Sequence, residues 1–430
     1  MYPFTEQKPF SLLQNSEGKY LPGVFAVNIQ KKLKDNILFK EFTGEEFATF
    51  VHEYIHFLQD ISTQTGIIYL GFYSELLHLY LYVAEKSDVI ELPIDLVTCN
   101  VENAFEQYEL LSFYSGCDKH LKINHIDKID IENEELLTEL FVEHPKLQGQ
   151  PMPQVAIYHD NYEQPYYFGG CCVRESMAYL IEHLAFKAEK RIRELPYNAC
   201  EMICEVVCPS LLEQPTMLVA LCELSLMHCN SGVEFYCLVK HIADKNLRFH
   251  NVYELKKYFT RRLIFLFDSY KNAYDSLGDK INVLYPLFLE QTKRINEQVK
   301  LYLKNGFDKR MSGHLFITDI LLCKNPCHLI GNYICNIGLP MLIDCEGNIF
   351  CNGNLEYMPV PMAVLEFFTH PINGCGLIHF GVLCSLSKDK EICMHKPWMQ
   401  CYEKELCPFA VFLRCYNIDR KTFKIKQNFA

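Results

Sequence analysis

Thr43-Gly44-Glu45-Glu46-Phe47-Ala48-Thr49-Phe50-Val51-His52-Glu53-Tyr54-Ile55-His56-Phe57-Leu58-Gln59-Asp60-Ile61-Ser62 is the stretch on which the reading of this chain turns. It opens with a capping box, in which the Thr43 hydroxyl and the Glu46 carboxylate each satisfy a backbone N–H that a starting helix leaves free. Phe47, Phe50, Val51, Tyr54, Ile55 and Leu58 then recur at helical spacing. The pattern predicts one amphipathic helix from near Gly44 to about Ser62.

Within that helix His52 and His56 stand one turn apart on one face, so both imidazoles can reach a single tetrahedral zinc ion. Glu53 projects beside them. Zinc lowers the pKa of a bound water toward about 7, and an adjacent carboxylate can take the proton and hand it to a leaving amine. Three side chains in this order therefore point to hydrolysis, with His52 and His56 as ligands and Glu53 as general base. The bland alternative is a pair of satisfied histidines at a helix-helix seam.

The segment His52-Glu53-Tyr54-Ile55-His56-Phe57-Leu58-Gln59 resembles the metal-binding helix of the zincin (HExxH) metallopeptidases. The likeness covers about a dozen positions. It implies a zincin-like catalytic domain, zinc as cofactor, and a protein or peptide substrate. Gln59 and Ser62 stand where the metzincin branch would place Gly and a third His, which leaves the gluzincin-like branch with a distal Glu ligand. Glu175, followed at the third position by Ala178, looks like that branch's Glu-x-x-Ala element. Glu75 has the spacing of one aminopeptidase group but not its neighbours; His78, Glu182, His183 and His159 complete the candidates for third ligand. Tyr158, His159, Tyr166, Tyr167 and Tyr197 are candidate donors to an oxyanion, and the stretch Ile37 to Lys40 is a candidate edge for an extended substrate.

Around the motif, 430 residues with 49% hydrophobic and 22% charged side chains describe a globular chain of two or three domains. The expected class is α+β and predominantly helical, with a Cys-rich mixed C-terminal domain. Residues 1–245 are read as the metallopeptidase domain, with 115–150 as a polar insertion or cover, 246–310 as a helical segment and 311–430 as the Cys-rich part. Strands are expected over Val24 to Ile29 and Ile37 to Phe39, a second helix over Ile67 to Glu85, a loop from Pro151 to Gly170, and helices from Val173 to Asn305 broken at Pro196, Pro209 and Pro215. The break in composition near Met311 sets the last boundary.

A net charge of −12 without a concentrated basic run argues against a nucleic-acid partner. The start of the sequence lacks a secretory pattern, and the apolar stretch Ile67 to Ala84 is interrupted by Gly71, Ser74, Glu75 and His78. Cytoplasmic residence and no membrane partner are the resulting expectations.

Twenty-one cysteines, an odd number, are more than such a protein ordinarily carries, and eleven lie between Cys323 and Cys415. Cys384, Cys393, Cys401 and Cys407, with Cys323 and Cys327 or Cys345 and Cys351, could hold a second structural zinc or an iron–sulfur cluster, against a reading as buried reduced thiols. Cys200, Cys204 and Cys208 recur at helical spacing and read as core. Two rivals to the peptidase follow: a catalytically silent zincin-like domain, and a Cys-rich metal or redox sensor acting through partner binding.

Overall fold

The computed structural model describes residues 18–33, 42–96, 104–134, 152–188, 193–287, 290–313, 315–350, 357–371, 374–379, 390–402 and 407–426. Helices dominate: α1 (Gly44–Ser62), α2 (Gln64–Lys86), α3 (Ala104–Ser115), α4 (Gly170–Phe186), α5 (Ala199–Val207), α6 (Pro215–Ser225), α7 (Ser231–Asp244), α8 (Val252–Tyr258), α9 (Thr260–Leu284) and α10 (Glu290–Met311). Shorter helices follow, namely α11 (Asp319–Leu322), α12 (Pro326–Asn336), α13 (Val360–Thr369), α14 (Gly376–His379), α15 (Lys390–His395) and α16 (Pro408–Cys415). The strands are β1 (Gly18–Leu21), β2 (Ala26–Ile29), β3 (Val89–Leu92), β4 (Leu121–Lys122), β5 (Ile126–Glu134), β6 (Met152–His159), β7 (Tyr166–Phe168), β8 (Glu194–Leu195), β9 (Met341–Ile343), β10 (Ile349–Phe350) and β11 (Thr422–Ile425). The architecture is α+β and mostly helical.

The motif helix forms as its cap dictates. Glu46 N–H donates to the Thr43 hydroxyl at 3.3 Å while Thr43 N–H donates to the Glu46 carboxylate at 2.7 Å. Glu46 also meets Lys31 at 2.7 Å, tying the helix start to the chain after β2. From Phe50 to Ser62 every residue of α1 is buried, because neighbours close on it from all sides. The hairpin β1–β2 covers one flank, and α2, α4 and α10 cover the rest. Gly306 of α10 lets two helix backbones touch: a Cβ there would stand 2.4 Å from the carbonyl oxygen of Ile61.

At its C-terminal end α1 is held by a fully buried ion pair. Arg310 Nε donates to the carbonyl of Ser62 at 2.8 Å and its Nη1 to Glu223. Glu223 in turn accepts from Thr318 N–H at 2.7 Å and from the Thr318 hydroxyl at 2.6 Å. A charge pair removed from water needs every remaining donor and acceptor satisfied, and this one has them.

The sheet beside the motif has the order β1-β2-β9-β10, with β9 parallel to β2 and β11 parallel to β3 in a separate pair. Strand pairing thus crosses both expected boundaries, near 245 and 311, since residues 341–343 and 422–425 complete sheets begun before residue 93.

Two local expectations are corrected. The run from Pro151 to Gly170 is not a loop: Met152–His159 forms β6, paired along β5, and Tyr166–Phe168 forms β7. Val155 and Ile157 stand at strand spacing, and Pro153 is tolerated at the strand's start, where β7 does not reach. Part of the polar excursion, residues 126–134, is strand rather than cover, while 135–151 fall outside the described residues. The expected strand Ile37 to Phe39 also lies outside them. α2 is long and apolar enough to cross a membrane, yet it packs inside this protein, with Leu70, Leu76, Leu77, Leu81 and Ala84 buried.

Candidate metal centre

Three donor atoms converge where α1 faces α4. His52 Nε2 lies 3.3 Å, and His56 Nε2 3.4 Å, from the same oxygen, Glu175 Oε2. Zinc with nitrogen and oxygen ligands at about 2.0–2.2 Å in tetrahedral geometry sets neighbouring donors about 3.3–3.5 Å apart. The observed spacings match that figure. All three residues are buried, and among the described residues they are the one group of three or more His, Cys, Asp or Glu close enough to share an ion.

The outer nitrogens explain why Nε2 faces inward. His52 Nδ1 lies 2.9 Å from Glu182 Oε2, and His56 Nδ1 lies 2.9 Å from Gln59 Oε1. An oxygen acceptor at Nδ1 fixes the N–H there and leaves the Nε2 lone pair for a metal, the usual support of a ligand histidine. Glu182 stands two turns beyond Glu175 on α4, so one helix supplies both a candidate ligand and the carboxylate that supports His52.

The electrostatics favour positive charge at the cluster. Burial acts to lower the His52 imidazole, but its hydrogen bonds to Glu175 and Glu182 outweigh this and hold it well above its ordinary value. Burial likewise acts to raise Glu175, yet His56 and His52 hold its carboxyl well below the usual range. An imidazole placed between two carboxylates carries either a proton or a metal ion. The donor set of two imidazoles and one carboxylate suits zinc, which keeps three protein ligands and an open fourth position in hydrolytic sites.

Glu53 lies beside the cluster. Its Oε2 accepts the main-chain N–H of Tyr20 at 2.6 Å, and burial pushes its carboxyl up despite the pull of His52 and His56. Tyr20 continues inward: its hydroxyl donates to Asp60 Oδ2 at 2.9 Å, Arg174 Nη2 donates to Asp60 Oδ1 at 2.6 Å, and Gln59 Nε2 donates to the Arg174 carbonyl at 3.2 Å. Strand β1, helix α1 and helix α4 are thereby joined through one buried polar chain that ends on His56.

The other candidates fall elsewhere. Glu75 meets Lys280 on the far side of α2, and His78 is exposed. His183 Nδ1 donates to the Ala188 carbonyl, and His159 sits at the end of β6 beside Asp160. Tyr158 and Tyr167 bond to Glu132, and Tyr166 bonds to the carbonyls of Cys117 and Lys119. Tyr197 alone of the five comes near, its ring 6.1 Å from that of His52 and 5.1 Å from that of His120. Sequence reading missed Tyr20, Asp60, Arg174 and His120. Asp60 was legible as the residue one turn beyond His56; Tyr20 carried no signal.

The described cysteines form no disulfide with one another, and Cys393, Cys401 and Cys407 are buried without forming a metal-sized group among the described residues. Burial pushes the Cys401 thiol up to about 12. Cys351 and Cys384 lie outside the described residues. Cys200, Cys204 and Cys208 are buried in the core.

Compared with protein-family profiles, with curated proteins and with solved structures, the chain matches none.

Proposed function

We propose that this protein is a zinc-dependent peptidase in which His52, His56 and Glu175 hold the metal and Glu53 is the general base. The single observation that carries the reading is the convergence of His52 Nε2, His56 Nε2 and Glu175 Oε2 with the Glu53 carboxylate beside them. A bound zinc ion would supply Lewis acidity, acidifying a water and polarising the scissile carbonyl. Glu53, its carboxyl raised by burial, takes the water's proton and delivers it to the departing amine. Tyr197, whose ring stands 6.1 Å from that of His52 and 5.1 Å from that of His120, is the proposed donor to the oxygen on which negative charge develops.

Strand β1 is the edge of its sheet, and its Tyr20 N–H points to Glu53 and away from β2. An extended peptide added along that edge would run past the general base, which favours a peptide bond as substrate. The reading therefore takes β1 as the substrate strand; the stretch Ile37 to Lys40, the edge expected from the sequence, lies outside the described residues.

A second reading, the catalytically silent metal domain, draws on the depth of the site: His52, Glu53, His56 and Glu175 are each only 5 or 6% exposed. Glu53→Gln separates the two. In the peptidase the variant keeps one zinc per chain and loses hydrolysis of a casein-derived peptide library by about 10²- to 10⁴-fold. Zinc-loaded wild type that cleaves nothing, or a variant as active as wild type, removes the hydrolytic role.

A further inference from the structure

Helices α8 and α9 are nearly one helix. Phe259 N–H donates to the Leu255 carbonyl at 3.0 Å and Leu263 N–H to the Phe259 carbonyl at 2.9 Å, so hydrogen bonding runs through the junction. Val252, Leu255, Phe259, Leu263, Leu266 and Tyr270 form one buried stripe at spacings of three and four residues. The opposite face therefore also runs unbroken from α8 into α9.

That face is unlike the rest of the protein. It carries Tyr253 at 73%, Tyr258 at 48%, Ile264 at 58% and Phe265 at 66% exposure, and no other phenylalanine among the described residues is comparably exposed. The Tyr258 hydroxyl lies 3.0 Å from His241 Nε2 on α7, and Lys245 follows His241 by one turn. Between residues 240 and 262 there are seven Lys and Arg against two Asp and Glu, a surplus of five in a chain whose net charge is −12. Some of these cations are engaged, Arg262 with Glu234 and Lys240 with Asp244. Lys245, Arg248 and Arg261 are exposed and make no ion pair among the described residues.

We propose that the exposed face of α8 and α9, with the adjoining end of α7, docks this protein peripherally on an anionic lipid surface. Exposed aromatic and aliphatic side chains on one helical stretch, flanked by Lys and Arg, suit the headgroup–acyl boundary. Each cation near an anionic leaflet adds attraction that salt screens. Local positive charge on a strongly acidic protein makes the attraction specific to this face, since the remaining surface is repelled. The expectation of no membrane partner concerned spanning segments, and this contact spans nothing. The inference is independent of the peptidase reading.

The test is co-sedimentation of the full chain with vesicles of phosphatidylcholine, with and without phosphatidylserine. Binding is expected only to the vesicles that contain phosphatidylserine, weakening with added salt. It should fall at least about tenfold in the double variant Ile264→Ser, Phe265→Ser and again in Arg248→Glu, Arg261→Glu, with unchanged circular dichroism. No binding to the anionic vesicles overturns the proposal, as does binding that neither variant weakens. Retention on polyglutamate or a single-stranded oligonucleotide without vesicle binding assigns the face to an acidic protein or a nucleic acid, and overturns it equally.

Discussion

The main-chain N–H of Tyr20 donates to Glu53 Oε2 at 2.6 Å, while the hydroxyl of the same residue donates to Asp60, two turns further along the motif helix. One residue of an edge strand thus sets the position of Glu53, the proposed general base, with its backbone and of the helix with its side chain. Tyr20→Phe keeps the first contact and deletes the second, leaving the buried Asp60 carboxylate short of a donor. Stability should drop by about 1–3 kcal/mol in urea unfolding, with zinc content and kcat little changed. A large loss of kcat without loss of stability would show that the phenol acts in the reaction.

Glu182 supports His52 through the outer ring nitrogen. Glu182→Ala should weaken zinc affinity by about 10- to 100-fold in chelator competition while stoichiometry at saturating zinc stays at one. Glu175→Ala should lose the ion even at saturating zinc, and Glu75→Ala, which removes the α2 partner of Lys280 on α9, should not change zinc content.

Tyr197→Phe tests the oxyanion role. The ring still packs against His52 and His120, so zinc binding and KM are expected to hold. A fall in kcat of about 10²-fold or more is the expected result, and an unchanged kcat assigns the donor elsewhere.

Arg310 and Glu223 are both fully buried, and each would leave the other as an unpaired charge. Arg310→Ala should destabilise by about 3–5 kcal/mol, read as a lower urea midpoint. Arg310→Met with Glu223→Leu should recover much of that loss, because the pair's desolvation cost disappears with it.

Asp344 caps the turn between β9 and β10, accepting from the N–H groups of Glu346 at 2.9 Å and Asn348 at 2.8 Å and from Leu33 at 3.3 Å. Burial acts to raise its carboxyl, but these donors and the Asn348 side chain hold it below the ordinary 3.8. A depressed carboxylate contributes stability that is complete above its unfolded value and fades as pH falls through the lower folded one. Wild type minus Asp344→Asn, compared by urea unfolding from neutral to acid, should therefore narrow below about pH 4. A difference that stays constant would mean the cap works equally well uncharged.

The sequence by itself determined the motif helix, because a capping box and a period of 3.6 are local properties, and it determined which side chains of that helix face one way. It also favoured Glu175, while Glu75, at the spacing of one aminopeptidase group but without its neighbours, stood as the rival. Only the tertiary structure decided between them: α4 lies across α1 at the two histidines, while the face of α2 bearing Glu75 turns to Lys280 on α9. The same holds for Tyr20, Asp60 and Arg174, whose contacts bridge 40 and 114 positions and leave no periodic trace. Strand β6 was hidden by its proline, and the placement of β9 and β11 depended on partners hundreds of residues upstream. Periodicity records what a residue does within its own helix or strand, whereas a site assembled from separate elements depends on which surfaces those elements bury against one another.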